Sequence, residues 1–336
     1  MLCRNYAFAE SRKMRVTLTR PDSGSQTTAP GLKIPMGEFV ERSQDSLTTM
    51  KHLLALLLGS LALWPLQADQ TIVLVAGRPS HGKGDHEFRA GALLLADALN
   101  KIPGIRTVVA SNGWPAEVSV LKSADAILLF ADGGDGHPAI KLDRLKLLDE
   151  LAAKGVGIGA AHYGVEVPKG DPGNAMLRWT GGYFETFWSV NPHWTASFTS
   201  FPNHPISRGV KPFAINDEWY FHMRFVPEMK GVTPILSAIA PTETMERGDG
   251  PHSGNPYVRQ AVKNREPQVL MWAYDRPGGG RGFGFTGGHF HKNWADDNFR
   301  KVVLNGLVWI AKGEIPPAGI PSTITSEHLA KNLDPK

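Results

Sequence analysis

The chain has 336 residues, 36 Lys and Arg against 32 Asp and Glu, 42% hydrophobic residues and a single cysteine. This composition is globular and long enough for one large α/β core or two smaller ones, and it excludes a disulfide framework and a cysteine-cluster metal site. The basic excess points first to nucleic acid or an anionic membrane, but it is concentrated at the N-terminus. Residues 69–336 carry 28 basic and 27 acidic side chains, so no nucleic-acid partner is expected.

Residues 1–49 are rich in Ser, Thr and Arg and show no sustained apolar period. They read either as an over-extended start or as a disordered or transit-like leader. Met50–Ala68 (MKHLLALLLGSLALWPLQA) has the plan of a secretory signal peptide: a short basic start, an apolar run, Pro65, then a small-residue cleavage site. A buried helix or a membrane anchor is the alternative. The run Leu53–Trp64 is shorter than the roughly 20 residues a spanning helix needs, so no stable membrane span is expected after cleavage. Cleavage would place the protein in the periplasm or outside the cell. It would also remove Cys3, leaving no cysteine nucleophile. The remainder divides into one α/β domain over 69–316 and a C-terminal tail over 317–336.

Thr71–Ala76 (TIVLVA) is a β-branched apolar run ending in Gly77, the pattern of a strand buried on both faces. Asp85 is placed to N-cap a helix over 86–100. Strands follow at Arg106–Ala110, Ala126–Phe130 and Val156–Ala161. Lys141–Ala153 carries a helical stripe of Leu142, Leu145, Leu148 and Leu151. Val269–Tyr274 and Gly282–Thr286 supply late strands, and Asn298–Ala311 a closing helix. Strands alternating with helices predict a doubly wound, mostly parallel α/β sheet. Residues 165–265 interrupt it as a large insertion within the same domain.

Chemistry-bearing residues cluster after the strands. His81 follows the first, Asp132 and His137 the third, His162 the fourth, and His289 and His291 the last. Ligands of open α/β sheets bind beyond the carboxyl ends of the strands, so these loops are expected to face one crevice. Glu218, in NDEWYFHMRF, is the best carboxylate to join them as ligand or general base. Glu87 and His86 open a helix, where an acid complements the helix dipole, so capping is expected there. His81, His162 and His289 suit a divalent ion such as Zn²⁺ with an open position, although no compact ligand motif such as HExxH is present. Catalysis is assigned to His162, Glu218 and His289. Substrate contacts are assigned to Asp132, His137, Trp194, His291 and Trp294, the two indoles as sugar-stacking faces. Neither GxGxxG, a P-loop nor GxSxG occurs in a fitting context, so no nucleotide cofactor is predicted.

The segments GRPSHGKGDHEF, GIGAAHYGVEVPKG, GGYFETFWSVNPHW, NDEWYFHMRF and GRGFGFTGGHFHKNW, in that order, resemble a secreted branch of the ThuA-like, or trehalose-utilisation, family. The resemblance spans nearly all of residues 70–316. It implies the flavodoxin-like scaffold of class I glutamine amidotransferases. Those enzymes place a cysteine at the tight turn where this chain has His162, so cysteine-dependent amidotransfer is not expected. The resemblance further implies catabolism of a disaccharide, glycoside or keto-sugar intermediate, with isomerase, lyase and hydrolase chemistry all open. Its matching blocks contain His81, His137, His162, His289 and Glu218. A non-catalytic carbohydrate-binding protein on the same scaffold is the alternative.

Overall fold

The first apolar run forms strand β1 (Gln70–Ala76) in a computed structural model that describes residues 69–335. The leader and signal peptide expected over 1–49 and 50–68 lie outside the described residues. The β1 side chains alternate between two apolar clusters: Ile72, Leu74 and Ala76 face one side of the sheet, and Val73 and Val75 the other. Its neighbours are β2 (Ile105–Ala110) and β3 (Ala126–Phe130), both parallel. Beyond β3 come β4 (Gly157–Ala161) and β11 (Arg281–Phe285), also parallel. Then β10 (Pro267–Asp275) and β9 (Val232–Ile239) pair antiparallel. The sheet order is β2-β1-β3-β4-β11-β10-β9, a flavodoxin-like arrangement whose strand order reverses direction between β1 and β3.

Helices α1 (Phe88–Leu99) and α6 (Asp297–Ile310) cover one face, burying Leu95, Leu99, Val303 and Leu307. Helices α3 (Arg144–Ala153) and α4 (Asp171–Thr180) cover the other through Leu148, Leu151, Ala175 and Met176. Each large apolar side chain so withdrawn from water contributes about 1.5–3 kcal/mol. The remaining helices are short: α2 (Ser119–Lys122), α5 (Pro256–Lys263) and α7 (Ser326–Ala330). No helix among the described residues is long and apolar enough to cross a membrane.

Three boundaries differ from the sequence expectation. The first helix starts at Phe88, because His86 has a left-handed φ of 50° that no helical residue adopts. Asp85 is therefore not its N-cap and instead bridges to Phe290. The stripe of α3 loses Leu142, which has φ 54° and is 89% exposed. Residues 317–335 do not trail away as a tail: Ile320 is buried, the Asn305 amide oxygen accepts from its N–H, and Arg300 donates to Ser322.

The insertion contributes more than loops. It supplies β9, an edge strand containing Pro234, where the missing N–H is tolerated. It also adds β5 (Gly182–Tyr183) with β8 (Arg224–Phe225), and β6 (Trp194–Phe198) with β7 (Phe213–Asp217). The loop between β7 and β8 brings Glu218 to the sheet.

Candidate metal centre

Two loops are joined by their backbones at the carboxyl end of the sheet. The N–H of His86 donates to the carbonyl of His289 (2.9 Å), and the N–H of His291 to that of Gly84 (2.9 Å). This fixes the His86 and His289 rings side by side. His162 enters from the turn after β4 with φ 49°, a conformation that costs a non-glycine residue energy and persists only where its surroundings hold it. Gly164, two residues on, has no room for a Cβ, which would press into the Leu129 carbonyl.

The three rings converge. His86 Nε2 lies 3.0 Å from His162 Nε2 and 2.9 Å from His289 Nδ1. Glu218 Oε2 stands 3.1 Å from His289 Nδ1 and 3.6 Å from His162 Nε2. The outward nitrogens all face oxygen: His162 Nδ1 donates to the Thr286 carbonyl (3.0 Å), His289 Nε2 faces Asp85 Oδ1 at 3.6 Å, and His86 Nδ1 faces Asp132 Oδ1 at 4.0 Å. The last two exceed hydrogen-bond range, and His86 Nδ1 is buried without a hydrogen-bond partner, so only the His162 ring is held as oxygen partners hold metal-ligating histidines. With protons on the outward nitrogens, the converging ones would be free to bind a cation.

The electrostatics differ among the three rings. Burial, then the charge of the neighbouring histidines, holds His162 well below the ordinary histidine value. His86 is also lowered, by burial first, against the pull of Asp132. Burial alone would lower His289 as well, but the hydrogen bond and charge of Glu218, with Asp85 and Asp217, shift it upward. Asp132 remains below its usual range because Ser80 and the histidines outweigh its burial.

Asp217 ties the site together. Its buried carboxylate accepts from the N–H groups of Glu218 (2.7 Å), Gly288 (3.0 Å) and His289 (3.0 Å) and from Asn293 Nδ2 (2.9 Å). One side chain thereby positions both the glutamate loop and the His289 loop. Tyr220 lies against His162, its hydroxyl 3.4 Å from Nε2 and held protonated by burial and by the charge of Glu218. At the rim, Asn191 Nδ2 donates to Glu218 Oε1 (3.1 Å), and His193 Nε2 is 3.8 Å from the same oxygen. A second acid–base pair, Glu166 with His252 Nε2 at 2.9 Å, lies nearby, and its hydrogen bond raises the histidine.

The structure brings His162, His289 and Glu218 into one group with His86. Of the expected ligands His81, His162 and His289, the last two share this group with His86, while His81 falls in a second candidate group with His86 and Asp132. His81 lies one layer outside, its ring stacked on His86 at 3.7 Å and its Nδ1 on Ser80 Oγ. Asp132 is adjacent, behind His86. The other expected substrate contacts are corrected. Trp194 is buried with Nε1 donating to the Trp219 carbonyl, and Trp294 is buried among Phe130, Phe285 and Phe299. His291 is buried against the Leu329 carbonyl. His137 is fully buried, Nε2 donating to the Gly164 carbonyl and Nδ1 accepting from the Ala139 N–H.

His137 has a measurable consequence. Burial pushes it down to about 4 from 6.5, so between those values the unfolded chain binds a proton that the folded chain does not. Stability present above the unfolded value is therefore lost as pH falls toward 4, about 2 kcal/mol by pH 5 from this residue. Denaturant unfolding should show the wild type losing stability between about pH 7.5 and pH 5, and His137→Asn losing distinctly less. Equal losses in both proteins would remove His137 as the source.

A sheet of this order carries, at its carboxyl end, a histidine–carboxylate group that could hold a metal ion. The chain belongs to the ThuA family, described as trehalose utilisation, whose model matches residues 73–310. That membership ties the chain to a carbohydrate-related role. Among solved structures it is similar to a ThuA-like protein from Bacteroides uniformis, at 16% identity and a TM-score of 0.53, over 75% of this chain and 95% of that one. It is also similar to a glutamine amidotransferase from Thermotoga maritima, at 8% identity and a TM-score of 0.40, over 73% and 99% of the two chains. No curated protein matches it.

Proposed function

We propose that this protein is an enzyme acting on a disaccharide, glycoside or keto-sugar, with His86, His162 and His289 holding a divalent cation beside Glu218. The observation that carries the reading is the convergence of three imidazole nitrogens, each ring having its outward nitrogen toward oxygen. The donor set fits. Three imidazoles with a carboxylate suit Zn²⁺ or a similar ion, and spreading contacts of 2.9 and 3.0 Å to the roughly 3.4 Å of a tetrahedral site asks for small side-chain shifts. A bound cation would polarise a sugar carbonyl or hydroxyl oxygen or acidify a water.

The chain's own groups do the rest. Glu218 Oε2 faces the convergence point and would take a proton from substrate. Glu218 Oε1, oriented by Asn191, faces the half-exposed His193, which would pass that proton to solvent. Tyr220, protonated and buried, would donate to a developing oxyanion. With no thiol in residues 69–336, cysteine-dependent glutamine hydrolysis has no nucleophile.

The test is turnover of a panel of disaccharides, aryl glycosides and their keto derivatives, before and after chelation and reloading with Zn²⁺ or Mn²⁺. Turnover that disappears on chelation and returns on reloading is expected. Sugar binding that survives chelation, with no turnover under any condition, would replace the enzyme by a carbohydrate-binding protein.

A further inference from the structure

Beside the histidine centre, at the carboxyl ends of β1, β2 and β3, lies a cleft of about 940 Å³. It opens at the strand-order reversal between β1 and β3, where doubly wound sheets accept ligands. Asp132 lines it and also stands behind His86, so the cleft and the centre share a wall.

Two arginines from different segments face this space, Arg78 after β1 and Arg144 at the start of α3. Each is steadied by a backbone carbonyl, Arg78 Nε on that of Asn112 (3.3 Å) and Arg144 Nη1 on that of Pro138 (2.8 Å). The Arg144 guanidinium also covers the Trp114 ring at 4.5 Å. Neither guanidinium has a carboxylate within salt-bridge distance among the described residues. They act on one another instead: burial, then the charge of Arg78, lowers Arg144. The carboxylates of the cleft are accounted for otherwise. Asp132 accepts from Ser80 Oγ at 2.8 Å, and Asp143 and Glu150 are exposed at the edge. The cleft is also lined by Leu142, 89% exposed and in the left-handed region, and Val118, 37% exposed.

We propose that this cleft is an oxyanion subsite: Arg78 and Arg144 grip a carboxylate or phosphate on a sugar whose ring lies along Trp114 and Leu142, so that the substrates are acidic sugars or their glycosides. The inference rests on the sugar-directed reading of the neighbouring centre. Two like charges lining one cleft, neither with a carboxylate in salt-bridge range, repel one another in the free protein, and an oxyanion relieves both through paired N–H donors. Arg144 also braces Trp114, while Arg78 is exposed and bonds only to a loop carbonyl, so Arg78→Gln leaves the fold intact.

Titration calorimetry at low salt would compare glucuronic acid, glucose 6-phosphate and glucose on the whole chain, for wild type, Arg78→Gln and Arg78→Gln/Arg144→Gln, with metal content measured on each sample. At least one acid is expected to bind about tenfold or more tighter than glucose, the better of the two identifying carboxylate or phosphate. That preference should fall several-fold in Arg78→Gln, vanish in the double variant, and survive chelation of the wild type. Equal binding of acidic and neutral sugars, no binding of either acid, or a preference that persists in Arg78→Gln would overturn the proposal. Metal content separates the two readings, because a centre that binds no metal leaves the acid preference intact.

Discussion

Replacing His86 by alanine is expected to weaken divalent-cation binding by more than about 100-fold and to reduce turnover to background, since removing even a group that only orients a ligand costs about 10–100-fold. His86 Nε2 is the nitrogen that touches both other rings, so its loss opens the centre of the cluster. His81→Ala is the contrasting variant: its ring stacks on His86 from outside, and its removal should leave the cation in place. Equilibrium dialysis against Zn²⁺ with elemental analysis measures both. Equal metal retention in His86→Ala and wild type would remove His86 from the ligand set.

Glu218→Gln should lower turnover by about 10²–10⁴-fold, the range attributed to a positioned general base. The amide keeps the shape of the side chain and an oxygen for Asn191 Nδ2, but it cannot accept a proton. The three imidazoles remain, so the variant should still bind a cation, and because the amide matches the carboxylate in size and keeps the Asn191 hydrogen bond its melting temperature should stay near that of wild type. Steady-state kinetics with metal-loaded enzyme decides it: undiminished turnover would assign the proton transfer elsewhere, with Glu166 and His252 the next pair to examine.

The parallel core was readable because strands buried on both faces are near-continuous apolar runs, as in TIVLVA and AILLF. The convergence of loops after β1, β3, β4 and β11 followed from that topology alone. His86 was misread because Glu87 behind it looks like a first-turn helix acid. The apolar stripe begins only at Phe88, and that offset was the available signal for a loop histidine. Residue type puts Trp194 and Trp294 at a ligand, and position after a strand puts His137 and His291 there, yet each is buried, and a sequence does not state which aromatic or imidazole the fold buries. Asp217 has no sequence signal because three of the four hydrogen bonds it accepts come from residues 288–293, more than 70 positions away. The Arg78–Arg144 cleft is equally silent in the sequence, since its residues line one space only when β1 and α3 are assembled.

The central claim, that one cation sits among His86, His162, His289 and Glu218, is tested most directly by anomalous diffraction from crystals grown with Zn²⁺ or Mn²⁺. The account predicts one strong peak bounded by His86 Nε2, His162 Nε2 and His289 Nδ1, about 2.0–2.1 Å from each if the ion is zinc. No peak at saturating cation, or a peak confined to His81 and Asp132 on the outer side of His86, would contradict it.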